Sequence, residues 1–390
     1  MLLYDPARIG ALLDDRNADG LLVVSPPNVR YLTRFPKEGG TQGIVLRDSL
    51  TKPILIVPSG NLDFVLEDIG ETTEVHVYGE FFRHLNPDQD FDAREELIAH
   101  LHASSRRGDD RDRCAASVLR QRGLVSATLL MDAEAGKVAE LASHLPSLEL
   151  ITDASAFRRL RMIKTHEEIG RLSRVADLTE EAITATIEEA AEGVSQEWLA
   201  RAFHKEVAAR GARLRLDNIS IGRSSAFGNA NVPGDQLKAG QVIRFDVGAI
   251  KGGYASDIAR CYSFRNAGER ARQLYGAVYA GQQAALAALR PGVKAREVFE
   301  TAIRSVRNAG LPHYERTHVG HGIGLHGDGY DPPLLGPADS TVLEAGMVLC
   351  VETPYYELGF GGIHVEDMVV VTEGKPNLLT TSPSDLQILI

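Results

Sequence analysis

Five side chains in the second half of the sequence combine residue types that bind divalent metal ions. They are Asp246, Asp257, His321, Glu352 and Glu366. The four acids interrupt segments that otherwise read as buried strands, where an unpaired carboxylate costs roughly several kcal/mol. Carboxylates combined with one histidine suit Mn, Co, Zn or Fe better than a site built on thiolates would. The residue types therefore predict a buried metal site.

The first two acids lie in a predicted hairpin. The strand 242–248 alternates so that Asp246 points away from its apolar neighbours, which can be buried. The pair Gly252-Gly253 predicts a tight reversal, and pairing of the two strands brings Asp257 close to Asp246. Two carboxylates that converge in an apolar hairpin favour a bound divalent cation.

The other three residues lie in apolar or glycine-rich segments. Glu352 follows the apolar run 347–351, and Glu366 lies within the apolar segment 363–370. His321 is flanked by glycines, which allow another part of the backbone to approach closely. Each residue alone is a weak signal, because an acid in a strand is commonly exposed or ion-paired. Their combination and order are the informative feature.

The elements that must position these residues indicate two domains. A chain of 390 residues exceeds what one core usually fills. Residues 1–154 alternate short apolar strands with helices, which is typical of an α/β domain, and the pattern changes to long amphipathic helices from residue 155 on. We predict a fold of α+β class, with an N-terminal α/β domain, 1–154, and a second domain, 155–390.

The hydrophobic periodicity also predicts the individual elements. Strands are expected at 20–25, 43–46, 53–57, 126–131, 148–151, 242–249, 255–263, 347–353 and 363–372. Helices are expected at about 133–144, 196–210, 269–289 and 294–309, with one long amphipathic pattern over 156–185. No phosphate-binding glycine loop follows the strands, so a nucleotide-binding fold is not indicated.

Composition excludes several classes of partner. A formal net charge of −11 disfavours nucleic acid and anionic membranes, which clustered Lys and Arg residues bind. The first residues lack a basic segment followed by an apolar one, and no apolar run is long enough to cross a bilayer. The three cysteines, Cys114, Cys261 and Cys350, lie in apolar contexts without a disulfide pattern. We expect a cytoplasmic protein that acts on a small substrate.

The order of the five residues resembles the pita-bread metallopeptidases of the creatinase and prolidase type. An aspartate is followed eleven residues later by a second, then by Gly-His-Gly-Ile-Gly, a glutamate after an apolar run, and Glu-Asp after Gly361-Gly362. The segment 21–33 is also similar to the opening strand of the creatinase-type N-terminal domain. The resemblance implies a C-terminal pita-bread catalytic domain behind an N-terminal creatinase-like domain.

The resemblance also implies how the metal site is built. Asp246 would chelate one metal ion, His321 and Glu352 would complete the other, and Asp257 and Glu366 would bridge them. The cofactors implied are two divalent ions, with manganese favoured and zinc or cobalt as alternatives. A metal-bridging hydroxide would be the nucleophile, and Glu352 would also be the catalytic proton shuttle.

Three positions depart from the family's pattern. Asn229 holds the place of a usual histidine before the first ligand strand, and Asp328 holds the place of a second one. His326 stands two residues earlier and is expected to substitute for it in catalysis. His364 replaces an arginine that commonly precedes the last glutamate by two residues, and alternation places it on the same face as Glu366. His326 and His364 are therefore predicted to lie beside the metal ligands or to bind a substrate carboxylate.

These departures concern substrate contacts rather than metal ligands. The residues predicted to bind substrate are Arg223, Asn229, Asp328 and Tyr330. The leading hypothesis is hydrolysis of the Xaa-Pro bond in dipeptides by a prolidase. The alternatives are an Xaa-Pro aminopeptidase and a non-peptide C–N hydrolase of the creatinase or ectoine-hydrolase kind. A homodimer is expected, because dimers are usual among relatives with this N-terminal domain.

Overall fold

The computed structural model describes residues 1–86, 88–228, 230, 236–325 and 329–390. The chain forms two compact units, Met1–Arg161 and Met162–Ile390. The division falls after Arg161 rather than after residue 154, because the intervening helix belongs to the first unit. The hydroxyl of Tyr31 donates a hydrogen bond to the carbonyl of Leu160, the last residue of that helix.

The first unit is a mixed sheet with helices. Its elements are α1 (Pro6–Asp15), β1 (Gly20–Val23), α2 (Pro26–Thr33), β2 (Gln42–Leu46), β3 (Ile54–Pro58), β4 (Glu74–Tyr78), α3 (Ala93–Ala103), α4 (Arg111–Gln121), β5 (Thr128–Met131), α5 (Ala139–His144), β6 (Glu149–Thr152) and α6 (Ala154–Leu160). The sheet order is β4-β3-β2-β1-β5-β6, with β1 antiparallel to β2 and parallel to β5. All residues of β1 and β2 are buried, which explains their continuous apolar runs.

The second unit is built on a larger sheet. Its elements are α7 (His166–Glu188), α8 (Gln196–Ala209), β7 (Arg213–Ile221), β8 (Val242–Lys251), β9 (Tyr254–Ala255), β10 (Ile258–Phe264), α9 (Glu269–Ala288), α10 (Ala295–Asn308), β11 (Gly320–Gly322), β12 (Asp331–Leu334), β13 (Val348–Glu352), β14 (Tyr355–Glu357), β15 (Gly361–Ile363), β16 (Glu366–Val370), β17 (Asn377–Leu378) and β18 (Gln387–Leu389). The main order is β12-β11-β13-β16-β10-β8-β7, and β9, β17 and β18 pair with β8, β16 and β10. The predicted mixture of helices and sheets in both units is confirmed.

Two predicted helices differ from the structure. The long pattern over 156–185 is two helices, α6 and α7, because the side chain of Thr165 caps a new helix at its start. Thr165 accepts a hydrogen bond from the Glu168 amide, and Glu168 accepts one from the Thr165 amide. The helix expected at 133–144 is α-helical only in α5 and follows a 3-10 turn that contains Gly136, a poor helix former.

Close packing of two helices supports the strand that ends at Glu352. The hydroxyl of Thr353 donates to the carbonyl of Val278 in α9, at 2.8 Å. One turn further along α9, a Cβ on Gly281 would lie 2.1 Å from Cγ2 of Val306 in α10. Gly281 is therefore the position at which α9 approaches α10 closely.

None of the described helices is long and apolar enough to cross a bilayer.

We expect Gly281→Ala to lower the free energy of unfolding by about 1–3 kcal/mol, because the added methyl group overpacks the α9–α10 contact. Differential scanning calorimetry would measure the shift in melting temperature. Gly276→Ala is the matched control, since it lies on the exposed side of α9 with open space around it. That variant should gain about 0.5–1 kcal/mol from helix propensity. Equal shifts for the two variants would contradict the packing argument.

Candidate metal centre

The pairing register of the larger sheet aligns three of the predicted ligands in one row. Asp246 of β8 lies opposite Ala259 of β10, and Ala259 lies opposite Glu366 of β16. Glu366 in turn lies opposite Glu352 of β13. Side chains directly opposite one another in antiparallel strands share a face of the sheet. Three acids and one small alanine therefore form a line across four strands.

The other two predicted ligands reach the same face. Asp257 lies two residues before Ala259, and alternate residues of a strand point to the same side. The pairing of β9 and β10 with β8 keeps one register on both sides of Asp257, so the alternation is not disturbed. His321 of β11 lies opposite Cys350, which is two residues before Glu352 on β13.

The ligand atoms gather in two groups that share one carboxylate. The first group is Asp257, His321, Cys350 and Glu366, and the second is Asp246, His364 and Glu366. Within each group the ligand atoms lie within 4.8 Å of one another. Among the described residues these groups form a candidate metal site. Glu366 is the member common to both groups.

Three buried polar atoms at this site test whether a cation fits. Oδ1 of Asp257, Oε1 of Glu366 and Nδ1 of His364 have no hydrogen-bond partner among the described residues. Leaving a buried polar atom unpaired costs about 1–3 kcal/mol, so three such atoms at one place require an explanation. These atoms belong to residues of the two ligand groups, and oxygen and imidazole nitrogen are atom types that bind divalent cations.

The electrostatics of the acids agree with this fit. Burial, followed by repulsion from Asp257 and Glu352, raises the pKa of Glu366 well above its ordinary value. Burial also raises the pKa of Asp257, although Arg215 and His321 oppose the shift. Burial lowers the pKa of His321 and so favours the neutral imidazole, which is the form that binds metal ions. Without a cation these acids resist full ionisation.

Glu352 belongs to neither group and is held by two histidines. Nε2 of His318 lies 3.0 Å from its Oε1, and Nε2 of His364 lies 3.1 Å from its Oε2. Burial opposes ionisation of Glu352, but these hydrogen bonds outweigh it and lower its pKa well below the ordinary value. Glu352 is therefore an ionised carboxylate with both oxygens fixed.

Arginines that the sequence analysis missed balance part of the negative charge. Nη1 of Arg215 lies 2.8 Å from Oδ2 of Asp257, and Nη1 of Arg244 lies 3.3 Å from Oδ2 of Asp246. Arg244 is fully buried and also donates to Asn218. Arg244 precedes Asp246 by two residues on the same strand. The alternation of side chains along that strand is the signal that could have identified Arg244 as a site residue.

A further arginine anchors Glu366 through its backbone. Arg260 follows Ala259 and therefore points to the opposite face of the sheet. Its Nη1 donates to the carbonyl of Glu366 at 2.7 Å, and its Nη2 lies 2.7 Å from Oδ1 of Asp367. The side chain of Gln282 in α9 donates to the other oxygen of Asp367. This buried network fixes the strand on which Glu366 lies.

The glycines around His321 are explained by close contacts. A Cβ on Gly320 would lie 2.2 Å from the carbonyl oxygen of Cys350, and one on Gly322 would lie 2.4 Å from that of Pro332. A Cβ on Gly324 would lie 2.6 Å from a carboxylate oxygen of Asp331. Gly320 and Gly322 therefore admit neighbouring backbone to the short strand on which His321 lies, and Gly324 admits Asp331 just after that strand.

The predicted substrate contacts have different surroundings. The ring of Tyr330 stacks on that of His321, with centroids 3.7 Å apart and an interplanar angle of 18°. Arg223 is exposed and makes no hydrogen bond or ion pair among the described residues. Asn229, His326 and Asp328 lie outside the described residues. The substrate roles of all five residues stay predictions.

Cys350 is a site residue that sequence reasoning did not select. Its thiol is free and buried, and it lies among the ligand atoms of the first group. Alternation from Glu352 on β13 was the available signal. His318, which contacts Glu352, precedes His321 by three residues and gave no periodic signal.

Comparisons with known proteins agree with this fold. The model of Metallopeptidase family M24 matches residues 170–373, and that of the Creatinase/Prolidase N-terminal domain matches residues 7–163. The fold and the family matches thus define a metallopeptidase with a pita-bread catalytic domain. The chain belongs to metallopeptidase family M24, and the predicted family is confirmed.

Relatives include one curated protein and solved structures. The chain is 31% identical over 246 residues to the Xaa-Pro dipeptidase of Pyrococcus furiosus. This alignment covers 63% of this chain and 70% of the relative. An X-Pro aminopeptidase from Thermotoga maritima MSB8 matches with a TM-score of 0.79 and 20% identity, over 96% of this chain and 99% of the other. An Xaa-Pro dipeptidase from Bacillus anthracis matches with a TM-score of 0.79 and 21% identity, over 98% of this chain and 99% of the other. The two structures show the shared fold.

We expect Glu366→Gln to change the pH dependence of stability in the metal-free protein. The pKa of Glu366 is raised in the folded state, so the folded chain binds more protons than the unfolded one above the ordinary glutamate pKa of about 4.3. Its contribution to stability is present below that pH and is lost as the pH rises. The melting temperature of the metal-free wild type should therefore fall more between about pH 5 and pH 8 than that of Glu366→Gln.

Added Mn²⁺ should raise the melting temperature of the wild type and do so much less for Glu366→Gln. Binding to the folded state alone stabilises it by about 2.7 kcal/mol at 100 times the dissociation constant. Glu344→Gln, an exposed acid outside the site, is the control and should behave as the wild type. Equal pH slopes and equal metal shifts in all three proteins would exclude Glu366 from the metal site.

Proposed function

We propose that the chain hydrolyses the Xaa-Pro bond of dipeptides in a reaction that depends on two divalent metal ions. The observation that supports this most directly is the sharing of Glu366 between two groups of ligand atoms. A carboxylate common to two groups is suited to bridge two cations, as in two-metal hydrolases. The similarity to an Xaa-Pro dipeptidase supports the choice of substrate.

The proposed ligands are the five residues identified from the sequence. Asp246, Asp257, His321, Glu352 and Glu366 would hold the ions. Manganese is the proposed metal, with zinc and cobalt as alternatives. When bound, two such ions lower the pKa of a water molecule to near neutrality and polarise the scissile carbonyl group.

Glu352 is proposed to move the proton during the reaction. Its carboxylate accepts a proton from the attacking water and returns it to the proline nitrogen as the C–N bond breaks. The leaving nitrogen of an Xaa-Pro bond belongs to a tertiary amide and must be protonated to depart. His318 and His364 hold the two oxygens of Glu352 in place, which orients the carboxylate for both transfers.

Residues at the edge of the site are proposed to bind the substrate. Tyr330 is half-exposed and stacks on His321, so its ring forms an apolar wall beside the ligands. Arg316 lies 3.8 Å from Glu352 and is partly exposed, which makes a cation available for the carboxylate of a dipeptide. Arg223, Asn229, His326 and Asp328 remain predicted contacts, and a homodimer and a cytoplasmic location also stay predictions.

Two other activities fit the same metal site. An Xaa-Pro aminopeptidase is favoured by the structural similarity to a protein of that name, and it would cleave longer peptides. A non-peptide C–N hydrolase is suggested by the histidine at position 364, where the resemblance leads one to expect arginine. The three activities differ in the group that leaves, so a substrate panel separates them.

The decisive assay compares Leu-Pro, Ala-Pro and Ala-Pro-Ala with Mn²⁺, Co²⁺ or Zn²⁺ added to the metal-depleted protein. We expect cleavage of the dipeptides, weaker cleavage of the tripeptide, and loss of activity with a chelator. Glu352→Gln should lower kcat by roughly 100-fold to 10,000-fold, which is the usual contribution of a proton-transferring residue.

The control for this assay is Glu344→Gln, an exposed acid on the same unit whose removal should leave kcat unchanged. Preferred cleavage of Ala-Pro-Ala would assign the aminopeptidase activity instead. Turnover of a cyclic or guanidino compound with none of Ala-Pro would assign the non-peptide activity. A Glu352→Gln variant with wild-type kcat would rule out the proposed proton transfer.

A further inference from the structure

We infer that His364 binds a metal ion directly through Nδ1, in the group that it forms with Asp246 and Glu366. This inference rests on the proposed two-metal function and adds a sixth ligand to the five named above. The five metal ligands implied by the sequence resemblance do not include it, because that resemblance leads one to expect an arginine at this position. Four features of the described residues support the assignment.

The first feature is the hydrogen bond that fixes the tautomer of the ring. Nε2 of His364 lies 3.1 Å from Oε2 of Glu352. An ionised carboxylate only accepts hydrogen bonds, so Nε2 must bear the proton. In the neutral imidazole Nδ1 then carries no proton, and its lone pair is free to bind a cation.

The second feature is what Nδ1 faces. It lies 3.6 Å from Oδ2 of Asp246, beyond hydrogen-bond distance, and it has no hydrogen-bond partner among the described residues. In the neutral form of the ring, the lone pair of Nδ1 and this carboxylate oxygen repel each other. A cation bound by both removes the repulsion.

The third feature is the immobility of the side chain. His364 is 2% exposed, so its ring cannot turn out to solvent. Its backbone amide donates to Sγ of Cys261 at 3.3 Å, and its carbonyl lies 3.4 Å from the same sulfur. These contacts hold the residue between β15 and β16, and with Glu352 they keep the ring in one orientation.

The fourth feature is the arrangement of the group as a whole. A histidine that ligates a metal usually donates its other ring N–H to a carboxylate or a carbonyl, which orients the ring and increases its basicity. Glu352 is the carboxylate in that position, and His318 holds it from the other side. The set Glu352, His364 and the space beside Asp246 has this carboxylate–histidine–metal arrangement.

A protonated His364 is the competing explanation. An imidazolium would bind Asp246 and Glu352 as a positive charge, which is the role an arginine would have at this position. The same distances fit both explanations. Burial lowers the pKa of His364, but Asp246 and Glu352 outweigh burial and raise it, so in the metal-free protein the protonated ring is favoured. A metal ion that binds Nδ1 displaces that proton, and only the deprotonated nitrogen offers a lone pair. Substitution by arginine keeps the charge and removes the ligand atom, and therefore separates the two.

The test titrates Co²⁺ into metal-depleted wild type, His364→Arg, His364→Ala and the control His166→Ala, in which an exposed histidine of α7 is removed. Metal content after dialysis and the visible ligand-field spectrum are the readouts. We expect two ions in the wild type and the control. Both His364 variants should bind one of the two ions 10-fold to 100-fold more weakly than the wild type does. They should also lose part of the ligand-field spectrum.

A His364→Arg variant that keeps both ions with wild-type affinity and spectrum would overturn the inference while leaving the proposed function intact. A wild type that binds no Co²⁺ and cleaves no Xaa-Pro dipeptide would overturn both. If the variants do not fold, a crystal structure of the Zn²⁺-loaded wild type decides. It should place Nδ1 at about 2.0–2.1 Å from a zinc ion, and a zinc-loaded site without that bond refutes the inference.

Discussion

Mutual repulsion among carboxylates on one buried face of a sheet is the constraint on which the second unit depends. Asp246, Asp257, Glu352 and Glu366 reach this face because of strand pairing and alternation, and burial weakens the solvent screening that separates charges at a protein surface. Positive groups must therefore lie within a few ångströms of every acid. The positions of the nearby arginines and histidines follow from that requirement.

The protein's own cations satisfy the requirement only in part. Arg215 and Arg244 each contact one acid of the hairpin, and two histidines hold Glu352. Among the residues that the structure describes, no arginine contacts the carboxylate of Glu366, and Arg260 contacts its backbone from the opposite face. The pKa of Glu366 is raised by burial and by Asp257 and Glu352, and this acid is the one shared by both groups of ligand atoms. This distribution concentrates the unbalanced charge where exogenous cations are proposed to bind.

Local features of the sequence were sufficient to predict much of the fold and the residues that converge. Gly252-Gly253 fixed the hairpin, and the glycines around His321 marked a segment with close neighbours. The Thr165–Glu168 capping box can also be read in the sequence. The amphipathic pattern continues across it, however, and predicted one helix instead of two. The contacts between Arg215 and Asp257, or His318 and Glu352, depend on the register between distant strands. Nothing local in the chain specifies that register.

Ala259, the alanine in the row of acids, leaves room for the ligand atoms because its side chain is small. Neighbouring strands lie about 4.8 Å apart, and Ala259 is the residue between Asp246 and Glu366 on the face that they share. A longer side chain there would occupy the space in which the two groups of ligand atoms meet, while leaving every ligand unchanged in sequence. A descendant of this protein could lose turnover through that one replacement and acquire a different role. An inventory of ligand residues alone would still count such a descendant as an enzyme.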